Sequence, residues 1–226
     1  MLISSEKEFI FVHVYKVAGE SIRKALLTYS DQLSLEKKLV VSALKVGSKL
    51  GFPVSSSSEY FIYSNKHVRA LDIRQSISKE KYEEYFKFAF VRNPWDWQVS
   101  LFHYMKQTQD HHQNKLVKNL TNFDDYIEWR VNEEVKLQKS FLVDEEGKVI
   151  VDFIGRIETI QKDFSQICSK LNLGSIKLPN INQSKRSTYQ DYYSAKSKEL
   201  IYSAFKDDID LFGYSFEGYS EQPIIA

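Results

Sequence analysis

A chain of 226 residues, 42% hydrophobic and 14% aromatic, carries enough apolar material for the packed core of one α/β domain. Its 31 Lys and Arg against 30 Asp and Glu leave a formal net charge of +1, so no global field draws it to nucleic acid or an anionic membrane, and any anion site has to be built locally. The single cysteine, Cys168, excludes an internal disulfide, and no Cys/His cluster has zinc spacing, so no metal is expected.

The N-terminal stretch MLISSEKEFIFVHV has no basic region followed by a long apolar segment, and no apolar run is long enough to span a bilayer; a soluble, cytoplasmic protein of one domain is expected. On the same ground NLT at 119–121 and NQS at 182–184 are read as chance matches to the glycosylation tripeptide. Phe9 to Val14 (FIFVHV) is apolar without alternation, which predicts a strand buried on both faces and hence a parallel sheet. Ile22, Ala25, Leu26 and Tyr29 have helical spacing, and the stretch to about residue 50 is again helix-like, with its lysines on a solvated face. Gly51, Pro53 and Ser55 to Ser58 form a loop before YFIYS, residues 60 to 64, which reads as a second strand. FKFAFV, 86 to 91, reads as a third, and Asn93 and Pro94 supply an N-cap and a first-turn Pro for the helix that follows. Thr121 with Asp124 resembles a capping box, FLVDEEGKVIVDF a hairpin turning near Glu146-Gly147, and Ile160, Phe164, Ile167, Cys168 and Leu171 the buried stripe of a helix. A last helix carries Leu200, Ile201, Ala204 and Phe205.

Two strand-to-helix junctions carry chemistry. A helix N-terminus presents unpaired N–H groups and partial positive charge, so Lys16-Val17-Ala18-Gly19-Glu20-Ser21, between a strand and a helix, is suited to an anion. The triphosphate order GxxxxGK[ST] is absent, which disfavours a nucleotide kinase. Read alone, this stretch is equally a strand-helix turn with an exposed Lys. At the second junction Arg92 follows a strand and Ser100 lies eight residues on, in the next helix; a guanidinium grips phosphate bidentately and a hydroxyl adds a hydrogen bond. Ligands of open parallel sheets bind beyond the carboxyl ends of the strands, where both junctions fall.

With these two motifs the chain resembles the PAPS-dependent sulfotransferases, in particular the branch with the carbohydrate sulfotransferases. HVYKVAGES is similar to the family's 5′-phosphosulfate loop, PKTGGTS or PKTAGTS, and VRNPWDWQVS to its 3′-phosphate motif; DFIGRIE, LPNINQSKR and LFGYSF extend the likeness over most of the chain. The resemblance implies a P-loop-like three-layer α/β sandwich with a central, mainly parallel sheet flanked by helices. It implies PAPS (3′-phosphoadenosine 5′-phosphosulfate) as donor, adenosine 3′,5′-bisphosphate as product, no metal, and an acceptor hydroxyl on a carbohydrate. By position, Lys16 would meet the 5′-phosphosulfate, the loop Val17, Ala18, Gly19, Glu20 and Ser21 would cradle it, and Arg92 and Ser100 would bind the 3′-phosphate. Lys185 and Arg186 lie on a loop that often closes over the cofactor, and which of them reaches it is open.

The acceptor proton needs a base. Of five histidines, His13 lies inside a strand, His103 on a helix, and His111 and His112 in a polar stretch, whereas His67 in NKHVRALDI is in the HVxxLD setting of the family's catalytic His. His67 is therefore expected to be the general base. Trp95, Trp97, Trp129 and Tyr104 offer faces for a sugar, although aromatics at helical spacing more often fill the core. Tyr15 and Glu20 depart from the family loop, where Pro and Thr are usual. A carboxylate about 4 Å from a phosphate costs about 4 kcal/mol at an effective dielectric near 20, so Glu20 is expected to turn outward, toward Arg23, Lys24 or solvent. The alternative is a non-catalytic protein of the same fold that binds a glycan or protein partner. Acceptor selection is expected from loops 51–59, 106–121 and 180–193.

Overall fold

Four apolar segments pair into one sheet of order β1-β2-β3-β4 in the computed structural model, which describes residues 1–31, 34–51, 62–63, 65–179, 187–221 and 224. β1 (Leu2–Ser4) runs antiparallel to β2 (Phe9–Val12), and β2 parallel to β3 (Phe86–Val91) with Val12 opposite Ala89; β4 (Phe153–Arg156) completes a mostly parallel sheet flanked by helices. The expected α/β class with a central, mainly parallel sheet is thus present. Every residue of β2 is fully buried, as its lack of alternation requires, and Phe11 stacks on Phe88 with ring centroids 5.3 Å apart. Gly155 of β4 lies against the Phe90 ring, where an added Cβ would come within 2.5 Å. Lys87, 6% exposed, reaches the carbonyls of Tyr82 and Tyr85 at 3.1 and 2.7 Å and the Asp152 carboxylate at 2.9 Å, so its charge is buried with partners.

α1 (Gly19–Leu26) follows β2, and α2 (Leu35–Lys49) fills the helix-like stretch to residue 50. YFIYS is corrected in part: Ile62 and Tyr63 are helical, and the rest of that stretch lies outside the described residues. Ile62 is fully buried, and a short apolar run cannot be divided between strand and helix by periodicity. α3 (Ala70–Ser76) and α4 (Lys79–Glu84) lead to β3, and α5 (Pro94–Gln107) opens with Asn93 accepting from the Trp95 amide and Pro94 in the first turn, as read from the sequence. Next come α6 (Asn114–Asn119) and α7 (Phe123–Glu133); the cap of α7 is Asn122, accepting from Asp125 N–H, one residue along from the expected Thr121-Asp124 box. The hairpin around Gly147 narrows to a single Val143–Val149 bridge before β4. Cys168 is buried on α8 (Ile160–Lys170), and the expected last helix is two, α9 (Ala195–Ala204) and α10 (Lys206–Phe212).

The chain clusters into two compact units, Met1–Phe90 with Ser140–Ile181 and Ile225–Ala226, and Val91–Lys139 with Asn182–Ile224. The first holds the sheet, and the second packs α9 on α7.

Candidate active site

In the first unit the chain leaves β2 through His13 and Val14, 2% and 0% exposed. Lys16 and Ala18 then take positive φ angles of 64° and 54°, a region costing a non-glycine residue about 1–2 kcal/mol. Such strain persists only where surroundings impose it, and it clusters at functional loops. Ala18 caps α1 without a side-chain bond: its carbonyl accepts from Ser21 N at 2.9 Å and Ile22 N at 3.2 Å, leaving the first amides of the helix without a side-chain cap. Ser21 is 4% exposed. Gly19 has a reason beyond close approach of the backbone to a ligand, because a Cβ on it would lie 1.7 Å from His13 Nε2. His13 is the floor under the loop. Burial, followed by nearby positive charge, pushes its pKa down to about 2, so the ring is neutral.

His67, solvent-exposed, sits with its ring centroid 4.4 Å from that of His13, and its Nδ1 is 3.0 Å from the His13 carbonyl. A carbonyl only accepts, so Nδ1 carries the proton of neutral His67 and Nε2 is left with its lone pair. Loss of hydration lowers the His67 pKa, with the His13 carbonyl bond opposing, so the neutral form is favoured at neutral pH. Behind it, Arg69 grips Asp72 through Nε and Nη2 at 2.8 and 2.7 Å, fixing the entry to α3. The Tyr15 ring stands edge-on 6.0 Å from His67.

Glu20 pairs with Lys66 Nζ at 2.9 Å, where its expected partners were Arg23 or Lys24; Arg23 donates instead to the Met1 carbonyl at 2.6 Å. The Lys66 hydrogen bond holds the Glu20 carboxyl below its usual range. This exposed pair connects the start of α1 to the residue preceding His67.

Arg92 and Ser100 belong to the second unit. Arg92 lies just past β3, with its Nε 2.6 Å from Asp96 Oδ2, and Ser100 is in the second turn of α5. Gln138 donates to the Arg92 carbonyl at 2.8 Å and accepts from its amide at 2.9 Å. His103 meets the Tyr192 hydroxyl at 2.9 Å, and His111 stacks on His112 at 4.5 Å. Trp95 and Trp97 are core residues, 2% and 0% exposed, whereas Tyr104 is 41% exposed. Lys185 and Arg186 lie outside the described residues. Sequence reasoning missed Lys66, Gln138 and the floor role of His13. No spacing marks the first two, and only the apolar neighbours of His13 signal its burial.

The chain is 23% identical over 255 residues to carbohydrate sulfotransferase 12 of Xenopus laevis, an alignment covering 95% of this chain and 60% of that protein. It therefore spans about three fifths of that relative's length. An uncharacterized protein of Archaeoglobus fulgidus is 26% identical over 126 residues, 52% of this chain and 93% of its own. No solved structure matches significantly. The model of the sulfotransferase family matches residues 1–215, so the chain belongs to the sulfotransferase family.

Proposed function

We propose that this chain transfers a sulfuryl group from PAPS to a carbohydrate hydroxyl. The residues present fit the donor: a loop held in the left-handed region at Lys16 and Ala18 precedes a helix without a side-chain cap, which suits an anionic phosphosulfate. PAPS, when bound, supplies the sulfuryl group on a good leaving phosphate. Lys16 would meet the phosphosulfate and offset negative charge at its bridging oxygen, while the Gly19 and Glu20 amides and the Ser21 hydroxyl would hold the 5′-phosphate. Arg92 and Ser100 hold the 3′-phosphate, and Lys185 or Arg186, outside the described residues, adds charge. His67 Nε2 takes the proton of the acceptor hydroxyl as its oxygen bonds to sulfur.

The observation that carries this reading is the 3.0 Å contact of His67 Nδ1 with the His13 carbonyl, which suits a neutral imidazole whose basic nitrogen is turned from that carbonyl. The pairing of Glu20 with Lys66 supports it further, because the carboxylate that motivated a non-catalytic reading already has a cationic partner. Purified protein is expected to bind adenosine 3′,5′-bisphosphate much more tightly than AMP by calorimetry, and Arg92→Ala to erase that preference. Equal binding of both nucleotides to the native chain would overturn the assignment.

A further inference from the structure

The residue after a β-strand leaves the ladder, and its amide and carbonyl need other partners. At Arg92 both are met by one side chain. Gln138, 0% exposed, accepts from the Arg92 amide at 2.9 Å and donates to the Arg92 carbonyl at 2.8 Å, so its primary amide takes the place of a peptide group on a neighbouring strand and extends the β3 ladder by one rung. Gln138 is itself anchored. The fully buried Asp208 accepts from the Gln138 amide at 2.7 Å through Oδ2 and from the Lys139 amide at 2.8 Å through Oδ1. Asp96 takes Arg92 Nε at 2.6 Å, one helical turn on, and sets the guanidinium plane.

We propose that Gln138, anchored by Asp208, is a positioning residue for the 3′-phosphate: it fixes the backbone angles of Arg92, and with them the direction in which the guanidinium leaves the strand. An Arg at a strand end without such a rung samples several launch directions, and binding has to restrict them. A side chain buried without charge and bonded to both polar groups of one residue removes that freedom before the ligand arrives. The role rests on the reading of Arg92 as the 3′-phosphate ligand. It predicts a loss confined to ligands that carry that phosphate.

The test compares adenosine 3′,5′-bisphosphate with AMP as calorimetric ligands for the native chain, Arg92→Ala, Gln138→Met and Gln138→Glu, with thermal unfolding of each. Gln138→Met keeps the volume and removes both bonds; it should weaken bisphosphate binding roughly tenfold or more while AMP binding stays within about twofold. Gln138→Glu keeps an acceptor for the Arg92 amide but sets a buried carboxylate against the Arg92 carbonyl oxygen, so its loss of bisphosphate binding should be at least as large as that of Gln138→Met. It also decides the matter if Gln138→Met does not fold. A purely structural residue would weaken both nucleotides alike, or lower the unfolding temperature with the bisphosphate preference intact, and either result overturns the positioning role. If Arg92→Ala itself leaves the preference unchanged, the assignment of Arg92 fails and this role with it. If Arg92→Ala abolishes the preference while both Gln138 variants retain it, only the positioning role is lost.

Discussion

Replacing Gly19 by Ala adds one methyl group to the loop between β2 and α1, and the structure says where it lands. The new Cβ would sit 1.7 Å from Nε2 and 2.0 Å from Cδ2 of His13, against an ordinary contact of about 3.5–4 Å. The ring has little room to retreat, since Phe11 stacks on it at 5.6 Å and His67 lies 4.4 Å away. Relief therefore means moving the loop or the His67 side chain by more than about 1 Å. Overpacking on this scale costs about 3 kcal/mol, which for a chain of this length lowers the unfolding temperature by roughly 6–12 °C. A double-mutant cycle with His13→Ala isolates the cause. In that background Gly19→Ala should cost under about 1 kcal/mol, giving a coupling near 2 kcal/mol. Calorimetric unfolding of the four proteins measures it. Equal costs of Gly19→Ala in both backgrounds would refute the claim that His13 is the floor demanding glycine.

Ala18→Gly should raise the unfolding temperature by roughly 2–4 °C, because glycine takes the φ of 54° without the cost of about 1 kcal/mol that alanine bears, and a thermal scan checks it. Lys66→Ala leaves the Glu20 carboxylate unbalanced and should weaken bisphosphate binding roughly two- to fivefold, an effect that fades as salt is raised in a calorimetric series. For pH dependence the sign follows from His67. Its pKa is depressed, so the neutral base persists below the ordinary 6.5, and kcat/KM for transfer should begin to fall only on the acid side of that value. A rate profile breaking above pH 7 would contradict this.

β2, β3 and the N-cap at Asn93 were legible because they depend on local patterns: β2 lacks alternation since both faces are covered, and Asn-Pro after a strand has few other uses. The short β1 was not, because three residues carry no period. In the candidate site, the loop and Arg92 with Ser100 stand out through residue type and order. The partners that arrange them do not. Lys66 is 46 residues from Glu20, and Gln138 is 46 residues from Arg92. Those pairs come from the way the chain folds back, and an amide between Leu137 and Lys139 has no signature of burial. Gly19 was read as a ligand contact, and the His13 ring beneath it adds a second requirement for glycine.

Sulfuryl transfer from PAPS by His67 and Lys16 can be followed as labelled sulfate passing from PAPS to a panel of glycans with native protein and His67→Ala. Labelled product is expected with the native chain, and a loss of about 10²–10⁴-fold in rate for His67→Ala, with bisphosphate binding retained. Bisphosphate binding without label transfer to any glycan, or transfer undiminished in His67→Ala, would contradict it.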